Sequence, residues 1–369
     1  MLEIIQIEIY TSPIKLKEPF KISLGVLTHA NNVVVRIRTQ QGFIGFGECS
    51  PFMTIHGESI ETAVIVGQYL AKVLIGKSAL DIAANAHAMD ATIYGNSCIK
   101  SAFNIALYDI ASRHANLPLY AFLGGANTKK IQTDYTISID TPQKMALDAL
   151  QIIRNGFEII KVKVGGKPSE DVERIRLIRE AVGYDVRIRI DANQGWAVQQ
   201  AIDVLTTLEQ YDIEHCEEPI NRAMYMHLPQ IKKACKIPIM ADESCCFHYD
   251  VQRLIDIDAC DSFNIKLSKS AGISDALKII QLAEQAGKVL QVGGFLESRL
   301  AFTAAAHVAL VSEAICYYDF DTPLMFEEDP VVGGIVYGKR GIVSLPESIG
   351  LGAVIDERYL EKQSKISIQ

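Results

Sequence analysis

Glu158-Ile159-Ile160-Lys161-Val162-Lys163-Val164 is a short β-branched run interrupted by two lysines at alternate positions. Alternate residues of a strand share a face, so both ammonium groups point one way while Ile160, Val162 and Val164 point the other. Such a strand suits a barrel, with helices against its apolar face and a polar site on its inner face. Apolar runs of similar length recur at 131–139, 186–191, 213–217, 238–242, 262–267, 289–293 and 315–320, each followed by a helix-like stretch. Their starts lie about 25 residues apart, the length that one strand-helix unit fills. Eight such units predict a modified (β/α)8, TIM-like barrel over residues 126–332.

Ahead of the barrel, residues 4–10, 32–38 and 42–47 alternate apolar and polar, which predicts an antiparallel meander. From 59 to 115 the period moves toward 3.6, as in Ala102, Ile105, Ala106, Asp109 and Ile110, which predicts helices. Residues 1–125 therefore read as an α+β capping domain. The tail, 333–369, has Gly-rich turns and is expected to pack back on that domain.

With 369 residues, 49% hydrophobic and 22% charged, the chain can bury a large core and has no disordered character. Its 36 Lys and Arg against 44 Asp and Glu give a net charge of -8, which disfavours nucleic acid and anionic membrane surfaces as partners. The N-terminus lacks a basic segment leading into an apolar one, and no apolar run approaches the ~20 residues of a membrane span. A soluble, cytoplasmic protein is expected. Cys49, Cys98, Cys216, Cys235, Cys245, Cys246, Cys260 and Cys316 have no metal-binding spacing and read as reduced, buried thiols.

Chemistry in such a barrel collects at the C-terminal ends of the strands. Those ends carry Lys161 and Lys163, then Asp191, Glu217, Asp242, Lys266, and finally Asp319 and Asp321. Asp191, Glu217 and Asp242 come from three consecutive strands, and three converging carboxylates repel unless a cation lies among them. An all-oxygen donor set favours Mg2+, with Mn2+ next. Crowded, desolvated lysines are expected to have lowered pKa values, so that one acts as a base near pH 7. That pairing of metal and base predicts abstraction of a proton from carbon next to a carboxylate.

With those residues in place the sequence resembles the enolase superfamily, through Lys161-x-Lys163, Asp191-Ala192-Asn193, Glu217-Glu218-Pro219, Ala241-Asp242-Glu243-Ser244 and Asn264-Ile265-Lys266. The general chemistry of that superfamily, a Lys or His base with Mg2+ stabilising an ene-diolate, is long established. Strand seven, Gln291-Val292-Gly293-Gly294-Phe295-Leu296-Glu297-Ser298, has no His, so the likeness is to the two-lysine, muconate-lactonizing branch and not to the mandelate-racemase one. Within that branch, Asp319-Phe320-Asp321 resembles the motif with which dipeptide epimerases bind a free α-amino group. The resemblance implies an epimerase inverting the α-carbon of the C-terminal residue of L,L-dipeptides, by default L-Ala-L-Glu. It implies Asp191, Glu217 and Asp242 as ligands of one Mg2+, and Lys163 and Lys266 as the two acid-bases. Lys161 would pair with the substrate carboxylate and lower the Lys163 pKa; Thr136 and Gly294 would make backbone contacts. It also implies a homo-oligomer. N-acylamino acid racemase and o-succinylbenzoate synthase are the alternatives in the branch, and a non-catalytic metal-dependent binding protein the distant one.

Specificity is expected from loops 17–31 and 50–57. In glutamate-preferring relatives an Arg in the first loop meets the substrate side chain; here the corresponding stretch holds Leu24 and Val26, with Lys21 and His29 at its edges. Tolerance of apolar C-terminal residues is therefore expected.

Overall fold

The computed structural model describes residues 2–369. Strands β1 (Ile4–Ile22), β2 (Gly25–Thr39) and β3 (Ile44–Cys49) form the expected antiparallel meander, but the first two are far longer than their alternating runs. The segment read as a loop, 17–31, is instead a two-stranded arm that pairs Phe20 with Leu27, Lys21 with Val26 and Ile22 with Gly25. A register shift between Lys15 and Phe20 lets the arm bend without losing its pairing. Helices α1 (Ile60–Leu74), α2 (Ile82–Thr92) and α3 (Ser97–His114) cover this sheet and share a core with it that includes Ile7, Val35, Leu70, Ile99 and Phe103.

Eight parallel strands follow in sequential order: β4 (Tyr135–Ile137), β5 (Ile159–Lys163), β6 (Arg187–Asp191), β7 (Ile213–Glu217), β8 (Ile239–Ala241), β9 (Ser262–Lys266), β10 (Val289–Gly293) and β11 (Ile315–Tyr318). Each of the first seven is followed by an α-helix, whereas β11 leads into a 3-10 turn, Thr322–Met325. The fold is a modified (β/α) barrel with an N-terminal α+β capping domain. Ile160, Val162 and Val164 are fully buried in the main core, each contributing roughly 1.5 to 3 kcal/mol of apolar burial. The first expected strand, 131–139, splits: Ile131–Gln132 pairs with Ile342–Ser344, and only Tyr135–Ile137 enters the barrel. The two ends of the barrel sheet meet through side chains, with Phe320 N–H donating to Thr133 Oγ1 at 2.8 Å and Thr136 N–H to Asp321 Oδ2 at 2.5 Å.

The final strand, β12 (Lys365–Ile368), pairs antiparallel with β1, Ile7 opposite Ile368. Glu8 on β1 is buried and accepts from Arg36 at 2.7 Å and Lys365 at 3.2 Å, which ties three strands together. Glu48 on β3 reaches across to the helix Arg299–Ala309, accepting from the backbone N–H of Ser298 and Ala301 and from Ser298 Oγ. No disulfide joins the cysteines of the described residues; Cys316 is exposed, contrary to expectation, because its position on β11 points outward. No helix among the described residues is long and apolar enough to cross a membrane.

Candidate active site

Ladder register sets the polar ring. Lys163 on β5 stands opposite Asp191 on β6, which stands opposite Glu217 on β7. Asp242 follows β8 directly, and Lys266 closes β9. All five side chains are buried: Asp191, Glu217 and Asp242 fully, Lys266 and Lys163 at 4% and 7% exposure.

The ammonium groups neutralise the carboxylates in pairs. Lys163 Nζ lies 2.6 Å from Asp191 Oδ2, and Lys266 Nζ lies 2.6 Å from Asp242 Oδ2 and 3.7 Å from Glu217 Oε1. Lys161 Nζ is 2.7 Å from both Glu217 Oε2 and Asp319 Oδ2, and 3.3 Å from Asp191. For Lys161 and Lys266 the expectation of a lowered pKa is corrected. Burial pushes Lys161 and Lys266 down, but the facing carboxylates (Asp319 and Glu217 for Lys161, Asp242 and Glu217 for Lys266) outweigh it and hold both above the usual lysine range. For these two, Lys-Lys repulsion is the smaller effect because each meets carboxylates directly.

Residues to which the sequence reading assigned no role complete the ring. Lys269, fully buried, bonds Asp242 Oδ1 at 2.6 Å; Asn264 and Gln291 donate to the two oxygens of Glu217 at 2.9 and 3.2 Å. Asn264 lies two positions before Lys266 and shares its face, a signal the alternation carried. Lys269 lies past the strand end, where period two no longer applies. Arg189, also missed, is buried beneath the lysines and pairs with Asp134 at 2.9 Å and Glu214 at 2.8 Å.

The three carboxylates fit a divalent cation chemically: an all-oxygen set at one strand-end level, with buried Asn193 Oδ1 and Glu243 Oε2 lacking any partner in the adjoining loops. Asn193 also donates its backbone N–H to Asp191 Oδ1 at 2.9 Å, which fixes that carboxylate. The tightest acidic cluster is a different one, Asp134, Asp319 and Asp321, whose oxygens lie within 4.8 Å of one another. The ligand set named from the sequence is more spread because lysine ammoniums stand between its members. Burial and the neighbouring Asp319 charge raise the Asp321 carboxyl to about 7. Burial also acts on Asp319, but Lys161 overcomes it and holds that carboxyl below its ordinary range.

Above the ring lies a cavity. Its polar side comprises Lys163, Lys266, Asp319, Thr136, Asn193 and Thr322; its apolar side comprises Phe20, Ile22 and Leu27 from the arm, Phe52 and Ile55 from the 50–57 loop, and Phe295 and Leu296 after β10. Lys163 and Lys266, four strands apart in a ring of eight, enter it from opposite sides. Lys163 Nζ sits 6.0 Å from the Phe20 ring centroid and Lys266 Nζ 4.6 Å from that of Phe295. Gly294 also lines the cavity, and a Cβ there would stand 2.5 Å from Phe302 and 2.8 Å from Glu297, so only glycine fits. Thr136 engages Asp321 through both its backbone N–H, at 2.5 Å, and its side chain.

The specificity positions are corrected. Period two on the paired arm puts Phe20 and Ile22 on the cavity face, with Leu27 opposite Phe20, and turns Lys21 and Val26 outward. Val26 is 60% exposed, Lys21 pairs with Asp140 at 3.4 Å, His29 is exposed beside Thr28, and Leu24 at the tip stands outside the cavity lining. The tip is pinned to the barrel, Ser23 Oγ donating to the Asn193 carbonyl at 2.8 Å, and Arg222 holds the 50–57 loop through the Ile55 carbonyl at 2.6 Å. His56 in that loop accepts from the Phe52 N–H; burial and then Lys266, Lys269 and Arg222 lower its pKa to about 3, so it is a neutral structural group.

The barrel, its cap and the ring of lysines and carboxylates define a two-part enzyme with one site at the domain junction. The enolase C-terminal domain-like family matches residues 144–359, and the mandelate racemase / muconate lactonizing enzyme N-terminal domain matches residues 4–124; the chain belongs to the enolase superfamily. It is 71% identical to a D-Ala-D/L-Ala epimerase of Cytophaga hutchinsonii, over 99% of each chain. It is 39% identical to an L-Ala-D/L-Glu epimerase of Clostridium acetobutylicum, over 92% of this chain and 95% of that one. A crystal structure of a dipeptide epimerase from Cytophaga hutchinsonii, complexed with Mg and D-Ala-L-Val, superposes with a TM-score of 0.99, at 70% identity and full coverage of both chains.

Proposed function

We propose that the protein is a dipeptide epimerase that inverts an α-carbon by 1,1-proton transfer. The observation that carries this is the entry of Lys163 and Lys266 from opposite sides into one cavity that also holds Asp319. Asp191, Glu217 and Asp242 would hold one Mg2+, with Mn2+ as the second choice, which when bound would supply positive charge against the negative charge that develops as the α-proton leaves. A cation held there would add positive charge beside Asp242 and Glu217, the carboxylates that hold Lys266 above the usual lysine range. Lys161, tied to Glu217 and Asp319, stays charged and faces the substrate carboxylate. One of Lys163 and Lys266 takes the α-proton while the other delivers a proton to the opposite face, and the roles exchange for the other epimer. Asp319 and Asp321 receive the substrate ammonium, and Thr136 and Gly294 line its backbone path.

Of the two substrate readings, L-Ala-L-Glu and a dipeptide with an apolar residue, the walls favour the second. Phe20, Ile22, Leu27 and Phe52 offer a glutamate side chain no cation. The activity named for the Cytophaga relative, on alanyl residues, supports the same choice. A cytoplasmic homo-oligomer is the accompanying assignment, carried by the family resemblance.

The test is α-proton exchange in D2O with Mg2+ across L,L-dipeptides and their N-acetyl forms, read by mass spectrometry. Deuterium gain confined to free-amine dipeptides is expected. Exchange confined to acylated compounds would replace the assignment with an N-acylamino acid racemase.

A further inference from the structure

Thr322 is the first residue of the 3-10 turn that follows β11, with Asp321 at its cap position. It is 7% exposed, lines the cavity beside Asp319 and Thr136, and its Oγ1 is buried without a hydrogen-bond partner. An unpaired buried hydroxyl costs free energy, so its retention at a substrate cavity calls for a ligand that pairs with it. Asp321 Oδ1 is likewise buried and unpaired, its other oxygen being held by the Thr136 N–H. Asp319 lines the cavity beside Thr322, with Oδ2 anchored by Lys161, and Asp321 stands behind that lining. Two carboxylates and one hydroxyl make three acceptor groups, and a primary ammonium has three N–H donors.

We infer that Thr322 is a specificity-determining residue that accepts the third N–H of the substrate ammonium, so the site selects primary over secondary amines; this rests on the dipeptide reading above. A single N-methyl group removes one donor. The methyl turns toward the neutral hydroxyl, because giving up a bond to either carboxylate costs more. Wild type and Thr322 variants then differ in how they treat the methylated substrate, a comparison insensitive to the amount of folded enzyme.

The experiment measures kcat/KM by α-proton exchange for one apolar L,L-dipeptide, its N-methyl form and its N-acetyl form, in wild type, Thr322→Val and Thr322→Ser. Wild type is expected to prefer the primary amine over N-methyl by about tenfold, one hydrogen bond to a charged group. Thr322→Val should lower the primary-amine value about tenfold and the N-methyl value by less than about twofold, collapsing the preference, while Thr322→Ser should retain it. An unchanged preference in Thr322→Val, with wild type active on free-amine dipeptides, would overturn the role of Thr322 and leave the epimerase standing. Wild type equally active on the N-acetyl form, or inactive on all three, would remove the dipeptide reading and this inference with it.

Discussion

Lys161 and Asp319 are joined at 2.7 Å across the junction of β5 and the end of β11, so one ammonium couples the acidic pocket to the carboxylate ring through Glu217. Asp319→Asn removes the anion proposed to receive the substrate amine and takes away one partner of Lys161. A rise in KM for free-amine dipeptides of about 100-fold is expected, with Mg2+ affinity by calorimetry changed far less.

The proposed scheme divides the proton transfer between Lys163 and Lys266. Lys266→Ala and Lys163→Ala should each lower epimerisation by roughly 10² to 10⁴-fold. Metal binding should persist in both, since each change removes a cation beside a carboxylate and not a ligand. Full turnover in either variant would defeat the two-base scheme.

Removal of divalent metal with a chelator should abolish exchange, and Mg2+ should restore it. If the proposed ring binds the ion only when folded, Mg2+ at 100 times its Kd should stabilise the protein by about 2.7 kcal/mol, seen as a raised Tm. Asp242→Asn should remove that Tm increment.

Leu27 faces the cavity opposite Phe20 on the arm. Leu27→Arg places a cation where an acidic side chain would lie, and should raise kcat/KM for L-Ala-L-Glu relative to L-Ala-L-Val by about tenfold or more. Val26→Arg, on the outer face, should leave that ratio as it is.

Glu8 sets a pH dependence of stability. Burial raises its pKa, but Arg36, with Lys365 and Tyr10, brings it down from 4.5 to about 2. A carboxyl depressed on folding stabilises above its unfolded pKa and loses that contribution as pH falls through the folded one, so the loss runs from about 4.5 to about 2. Urea unfolding across that window should show a falling stability in wild type and a flatter profile in Glu8→Gln.

The barrel and its polar ring were legible because both rest on period two. Lys161, Lys163 and Asp191 fall on the inner face by alternation alone, and the strand-helix spacing places them side by side. The arm was missed because its pairing runs past the alternating stretches of residues 4–10 and 32–38, across a register shift that no local pattern encodes. Once paired, the same alternation selects Phe20, Ile22 and Leu27, not Val26, for the cavity. Lys269 lay in a turn beyond its strand, where position follows from tertiary contacts, and the direction of the lysine shifts depended on which anions stood nearest. Those distances arise only when eight strands close on one another.

The pairing of β1 with β12 sets the order in which the molecule can be completed. Ile7 waits for Ile368, so the meander keeps an open edge until nearly the whole barrel has been made. The sheet that carries the arm over the cavity thus draws its strands from both ends of the described chain, a pairing whose sequence separation makes it costly in loop closure and slow to form.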